Sequence, residues 1–290
     1  MRSFHHILIG CTLLVLIPSS AAPADPKQDN RVIADRWSVL AGGFLADLNT
    51  EAQVGFGGVL GSLVDLENVL DMDDNKSVAR LDGLFRFNRK HAMEIGLLEI
   101  GRRSSGSLSE DIEFRDLTFV GNFESEFDMS LLKLGYRYSF SDDGRLNAGF
   151  STGLSTFRFG LELSGDVEVI DPNGGGTTIS GDGSEATVTA PIPFLGVFID
   201  YAFTPKLVMR IKPEFFDLEV GDFEGRFIET RWTLDWYFSR HVGIGGGYNS
   251  TDLQFSDTGD SPFNVDYRYS GLLIYLSFVG GAVGGPAGGP

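Results

Sequence analysis

Apolar and polar residues alternate with a period of two along several stretches of the chain, including residues 132–140, 146–155 and 228–238. In the middle stretch, Phe150 and Leu154 fall on one face, while glycines and serines fall on the other. This period is the pattern of a β-strand with one apolar face. Beyond the first 24 residues, no segment offers the ~18 or more apolar residues of a membrane helix. The pattern therefore predicts an all-β fold.

Four of the predicted strands end in an aromatic residue, one further residue and then Phe, followed by a short polar turn that contains a base. The aromatic pairs are Phe85 and Phe87, Tyr138 and Phe140, Tyr201 and Phe203, and Trp236 and Phe238. Both members of each pair lie on the apolar face. Aromatic rings at one depth on neighbouring strands form a girdle at a membrane interface. The short turns then belong to the periplasmic side of a barrel.

The opposite strand ends lead into long, irregular, acidic connections, which we place at 55–76, 103–125, 163–190, 217–226 and 254–264. Short turns on one side and long connections on the other are typical of outer-membrane barrels. We therefore predict a single antiparallel transmembrane β-barrel of ten strands. Eight or twelve strands remain open, because a segment such as 112–120 could form a hairpin beyond the membrane.

The two ends of the chain fall outside the predicted barrel, which covers residues 35–278. Residues 1–24 read as a signal peptide, with a base at Arg2, an apolar core at 7–17 and an A-x-A cleavage site that ends at Ala24. A lipoprotein-type box ending at Cys11 is the alternative, but the apolar run continues past it. Cleavage near Ala24 leaves no cysteine in the mature chain. Residues 25–34 are then a periplasmic N-terminal segment, and residues 279–290 form a Gly/Pro-rich tail.

Composition and charge exclude several classes of protein. With 42% hydrophobic residues and 38 glycines, the chain is too apolar to be disordered and unlike a helical bundle. Its net charge of −17 repels phosphate backbones, so nucleic acid is not an expected partner.

The predicted lumen face carries charges of both signs. The alternation along the strands places Glu94, Lys212 and Glu214 on this face, together with a main set of ten residues. The set comprises Arg80, Asp82, Arg86, Lys133, Arg137, Asp200, Arg210, Glu229, Arg231 and Asp235. One interpretation is a selective pore or a catalytic cluster. The other is a self-neutralising network of ion pairs that fills the lumen. A ten-strand barrel is only modestly wider than the eight-strand size that side chains fill, so we expect the filled lumen.

The sequence offers little support for catalysis, and no cofactor is predicted. Residues 149–153 match a G-x-S-x-G motif, but they lie within one strand and lack the strand-turn-helix context. His91 and His241 are the only histidines after the signal, and both fall in predicted periplasmic turns. We predict no enzymatic activity. Acidic connections such as 71–74 could gather divalent cations that bridge to lipopolysaccharide phosphates.

The last predicted strand resembles the assembly signal of outer-membrane proteins, in which alternating residues lead to a final Phe. The matching residues are Tyr269, Gly271, Ile274, Leu276 and Phe278, although twelve residues follow Phe278. Overall, residues 37–278 resemble the small outer-membrane barrels of the OmpA/OmpW-like, porin-superfamily type. The resemblance implies a Gram-negative outer-membrane location, insertion by the barrel-assembly machinery, and contact with outer-membrane lipid and lipopolysaccharide.

Two functions follow from this reading. One is a structural or surface-interaction barrel with a side-chain-filled lumen. The other is a narrow, gated channel for small or apolar solutes. The sequence identifies neither a solute nor a partner.

Overall fold

In the part of the chain that the structure describes, ten long antiparallel strands close into a ring. The structure is a computed structural model, and it describes residues 35–54, 63–107, 112–114, 117–170, 176–220, 223–257 and 263–282. The predicted signal peptide, residues 25–34 and residues 283–290 lie outside these ranges. The strands are β1 (Asp35–Val54), β2 (Leu63–Asp65), β3 (Asn75–Arg86), β4 (His91–Ser107), β5 (Ile112–Phe114), β6 (Leu117–Asp142), β7 (Leu146–Ile170), β8 (Gly176–Thr204), β9 (Leu207–Val220), β10 (Phe223–Tyr237), β11 (Val242–Asp257) and β12 (Phe263–Ala282).

The ring closes through the pairing of β12 with β1, and the short strands β2 and β5 only add to β1 and β6. Paired residues followed once around the ring from Trp37 lead back to Asn49 on the same strand, a stagger of 12 residues. For ten strands, this stagger corresponds to a tilt of about 40° from the barrel axis. The prediction of a single antiparallel barrel is confirmed.

A belt of large apolar side chains faces outward around the barrel. On β6 it runs from Phe140 to Leu132, and the exposed Ser130 follows it. Leu134, in the middle of this stretch, is 46% exposed. A contiguous apolar surface of this extent is foreign to soluble proteins. With a rise of ~3.3 Å per residue and the tilt above, the belt is about 20 Å tall, close to the lipid-facing band of membrane barrels. We call it the apolar band.

Four short turns define one end of the barrel, which we call the turn end: residues 87–90, 143–145, 205–206 and 238–241. Each turn uses the same device, in which a side-chain oxygen near its start accepts hydrogen bonds from two backbone N–H groups. The four residues are Asn88, Asp143, Thr204 and Ser239. Such side chains favour turns for this reason. The four predicted aromatic pairs lie next to these turns and face outward.

The opposite end, which we call the loop end, corrects the prediction of long irregular connections. Most of 103–125 and 163–190 belongs to strands β4, β6, β7 and β8, which continue beyond the apolar band. Their inward residues, such as Phe123, Leu161 and Leu163, are buried, while their outward residues are polar. Apolar and polar residues therefore still alternate beyond the band, but here the apolar residues face inward and the polar ones outward, as in soluble proteins. The acidic residues lie on the outward face only. β5 pairs with the start of β6, so the hairpin that the sequence allowed within residues 112–120 is present.

The last strand also departs from the prediction, because β12 ends at Ala282 and not at Phe278. Val279 is buried against Ala202, Val208 and Tyr237. Gly280 packs on Trp37, since a Cβ built there would come within 2.7 Å of the indole Cζ2. The first residues of the predicted tail therefore complete the barrel wall. The described residues contain no helix that is long and apolar enough to cross a membrane.

Candidate functional site

The lumen contains three successive layers, starting from the turn end. The apolar cap consists of Ala202, Val208, Tyr237 and Val279. The charged layer follows, and its members are Arg80, Asp82, Arg86, Glu94, Lys133, Arg137, Asp200, Arg210, Lys212, Glu214, Glu229, Arg231 and Asp235. Above it lies the aromatic layer, which we define as Phe44, Phe157, Phe194, Phe227 and Tyr269, all at most 1% exposed. The described lumen is therefore polar at mid-membrane and apolar towards the loop end.

Ion pairs in the charged layer connect opposite walls of the barrel. Arg231 on β10 lies 2.9 Å from Asp82 on β3, measured from Nη1 to Oδ1. Lys133 on β6 lies 2.6 Å from Glu229 on β10, and Lys212 on β9 pairs with Glu94 on β4. In each case three strands separate the partners along the shorter way around the ring. Side chains of ordinary length therefore span the lumen.

Eight members of the layer form one continuous network, in which the basic and acidic groups balance. The basic members are Arg80, Lys133, Lys212 and Arg231, and the acidic members are Asp82, Glu94, Glu214 and Glu229. Desolvation of charges is costly, and mutual attraction offsets the cost only when each charge has its partners. Removal of one member would leave an uncompensated buried charge.

A second group of charges lies nearer the turn end, around Asp200. Arg137 donates to Asp200 at 2.9 Å, and its guanidinium carbon lies 3.5 Å from the ring centroid of Phe198. Arg86 lies 3.9 Å from the same carboxylate. Asp200 thus faces two guanidinium groups, and this part of the layer carries an excess of positive charge.

A cavity of about 90 Å³ lies inside the charged layer. Six basic residues line it, namely Arg80, Lys133, Arg137, Arg210, Lys212 and Arg231, but only three acidic ones, Asp82, Glu94 and Asp200. Gly42 and Gly96 also line it and present no side chain that would fill it. Because ~10–15 Å³ of such space is enough for one water, the cavity has room for several waters.

The loop end contains a buried ion pair that the sequence did not predict. Arg102 pairs with Glu67, donates to Thr50 Oγ1 at 2.6 Å and lies over the ring of Phe127 at 4.8 Å. Its side chain is fully buried. Because β3 begins only at Asn75, this pair ties the connection that follows β2 to the walls formed by β1 and β4. Period-two alternation from Leu98 could have placed Arg102 on the inward face.

The structure places the predicted site residues as follows. All ten predicted lumen residues face inward and meet in the charged layer, as do Glu94, Lys212 and Glu214. The predicted assembly-signal residues divide between the two faces of β12. Tyr269 and Gly271 face the lumen, whereas Ile274, Leu276 and Phe278 lie in the apolar band.

The residues considered for chemistry are not assembled into a catalytic site. His91 and His241 lie at the turn end, where their rings contact Tyr136 and the Val279 carbonyl oxygen. Ser151 is buried within strand β7, and in the described part of the chain no helix follows that strand. Within the described ranges, no group of three or more His, Cys, Asp or Glu side chains is arranged to hold a metal ion.

Comparison with known proteins supports the architecture. No protein-family model and no curated protein matches the chain. Among solved structures, the outer-membrane protease OmpT from Escherichia coli matches with a TM-score of 0.51 at 11% identity, over 85% of this chain and 97% of that one. The fold is that of an outer-membrane β-barrel.

Two further solved structures have lower TM-scores. The attachment invasion locus protein Ail of Yersinia pestis has a TM-score of 0.31 at 10% identity, over 83% of this chain and 99% of that one. Neisserial surface protein A has a TM-score of 0.31 at 10% identity, over 84% and 96%. Identities this low relate the chains by fold alone.

Proposed function

We propose that this protein is an outer-membrane barrel whose lumen is closed by its own side chains and which acts through its loop-end surface. Its role is then structural or one of surface interaction. The observation that carries the proposal is the meeting of charges from opposite walls, such as Arg231 with Asp82 at 2.9 Å. The buried aromatic layer above them adds a second obstruction.

We further propose that the turn end faces the periplasm and the loop end faces outward. Both ends of the described barrel, Asp35 and Ala282, lie at the turn end, which suits export through a cleaved signal peptide. The outward Ile274, Leu276 and Phe278 suit recognition by the barrel-assembly machinery. These features support a Gram-negative outer-membrane location.

Lipopolysaccharide is the proposed partner of the outer surface directly above the apolar band. Exposed acidic residues face outward there on several strands, including Asp47, Glu99 and Asp128. Divalent cations would bridge these carboxylates to lipid phosphates. Such bridging fits a barrel that stabilises the envelope.

A catalytic role is not part of the proposal. OmpT is a protease by name, but its likeness to this chain extends to the fold only. The two described histidines lie at the turn end, far along the barrel from the loop-end surface. No base of this kind therefore reaches the proposed working surface.

Cysteine labelling on intact cells tests the orientation. The only natural cysteine, Cys11, lies in the predicted signal peptide. A cysteine at Thr189, exposed on the loop-end part of β8, should react with a membrane-impermeant maleimide on intact cells. A cysteine at Arg240, exposed in a turn, should react only after the outer membrane is permeabilised. The reverse pattern would contradict the proposed orientation.

The cavity in the charged layer favours a second candidate function, a narrow gated channel, because it provides polar volume at mid-membrane. Liposome swelling separates the two functions. A closed barrel predicts no solute-dependent swelling with monosaccharides or amino acids. Swelling that depends on solute size would favour the channel.

A further inference from the structure

We infer that the cavity in the charged layer binds one small monovalent inorganic anion, with the size and charge of chloride. The inference concerns the interior of the barrel and goes beyond the proposed surface role. It rests on the charges that line the cavity, on two unpartnered nitrogens, and on the size of the space.

The walls of the cavity are predominantly positive. Six basic residues line it and three acidic ones do, whereas Glu214, Glu229 and Asp235 belong to the charged layer but do not line the cavity. These three carboxylates therefore lie behind the basic groups that they neutralise. In a low-dielectric, membrane-embedded interior, such an arrangement attracts a negative charge more strongly than it would in water.

Among the described residues, three buried guanidinium nitrogens lack an acceptor, and two of them, Arg80 Nη1 and Arg137 Nε, belong to the charged layer. Arg80 is only 6% exposed and Arg137 only 7%, and both residues line the cavity. A buried donor without an acceptor costs about 1–3 kcal/mol, and more when the group is charged. An anion in the cavity would accept from groups of this kind.

The balance of charge selects the valence of the anion. Among the described residues, the charged layer holds seven basic and six acidic groups. Asp142 and Asp35 lie at the turn end, outside the layer: Asp142 pairs there with Arg89 at 3.1 Å, and Asp35 interacts most strongly with His241 and Arg240. One monovalent anion makes the layer neutral, whereas a divalent anion would reverse its charge. Water alone would satisfy the nitrogens but would leave the net charge in place.

The size of the cavity limits the anion further. A volume of about 90 Å³ takes a halide together with several waters. Refolding in the presence of the anion ensures that the cavity equilibrates with it.

Anomalous scattering from bromide tests the site directly. The full-length mature protein is refolded in sodium bromide and crystallised. The expected result is an anomalous peak inside the cavity, near Arg80 and Arg137. Bromide peaks confined to the protein surface, or none at all, would overturn the inference.

The stability of the barrel in different anions gives a second readout. Unfolding midpoints in urea are compared in sodium chloride and sodium gluconate at equal ionic strength, because gluconate carries the same charge on a much larger ion. The expected result is a higher midpoint in chloride, rising with its concentration to a plateau. Arg137→Gln removes one positive charge from the layer and should abolish this difference. Arg158→Gln, at an exposed outward position, is the matched control and should retain it. Equal midpoints for the wild type in both salts would contradict the site, whether or not Arg137→Gln folds.

Discussion

Arg231 on β10 and Asp82 on β3 meet across the lumen, with 2.9 Å between Nη1 and Oδ1. Their strands are separated by β11, β12 and β1 on the shorter way around the ring. Both side chains are largely buried, at 15% and 17% exposure. The contact therefore shows that charges from nearly opposite walls neutralise one another at mid-membrane.

A double-mutant cycle on this pair tests whether the contact stabilises the barrel. Arg231→Gln and Asp82→Asn should each lower the free energy of unfolding by about 3 kcal/mol, because each leaves one uncompensated charge in the buried network. The double variant should lose less than the sum, since it removes one charge of each sign and leaves the network balanced. Urea unfolding in lipid vesicles measures all three. If the two single losses add in the double variant to within about 0.5 kcal/mol, the two charges do not interact, which would mean that water screens the pair.

Because alternate residues of β6 face outward, two arginine substitutions on this outward face should differ strongly in their effect on stability. Leu134→Arg places a charge in the middle of the apolar band and should cost about 2–4 kcal/mol. Ser130→Arg, on the same face but beyond the band, should change the stability little. Equal folding of both variants in lipid vesicles would show that Leu134 does not face the hydrocarbon region.

Close packing of Tyr275 on Gly245 predicts that two neighbouring glycines differ in tolerance. A Cβ on Gly245 would come within 2.3 Å of Tyr275 Cε2, whereas a Cβ on Gly246 meets nothing closer than 3.4 Å. Gly245→Ala should therefore cost about 1–3 kcal/mol through displacement of the ring. Gly246→Ala should stay near neutral. Restoration of stability in Gly245→Ala by Tyr275→Leu would assign the cost to this contact, and its persistence would assign it elsewhere.

The carboxyl group of Asp35, at the turn end beyond Trp37, should make the stability of the barrel depend on pH. Partial burial raises the pKa of Asp35 from 3.8 to about 6, although His241 and Arg240 partly oppose the shift. The folded state then binds the proton more tightly than the unfolded state, so stability should fall as the pH rises from about 4 to 6. Asp35→Asn should flatten this interval and stabilise the barrel at pH 7. An unchanged profile in the variant would assign the dependence to other groups.

The sequence predicted the barrel well because the membrane imposes a strict alternation. Leu132, Leu134 and Tyr136 face lipid while Lys133 and Arg137 face the lumen, as their spacing requires. The aromatic pairs and the turn residues also follow local rules. These features depend on neighbours in sequence, and sequence reasoning therefore captures them.

Features of the loop end were harder to predict, because they depend on the partner strand. Beyond the membrane, polar residues face outward and Phe or Leu faces inward, so acidic residues such as Glu126 and Glu162 gave the impression of loops. The pairing of Arg102 with Glu67 joins distant segments. The location of the cavity depends on Gly42 and Gly96 facing the same space, which only the three-dimensional register determines.

Recording from planar lipid bilayers tests the closed lumen most directly. The purified, refolded wild-type protein is inserted into a bilayer, and an open porin in the same bilayer serves as the control. Ion pairs between opposite walls and the aromatic layer above them predict no steady conductance over the background, at either polarity. A large, steady, ungated conductance from the wild-type barrel would contradict the account.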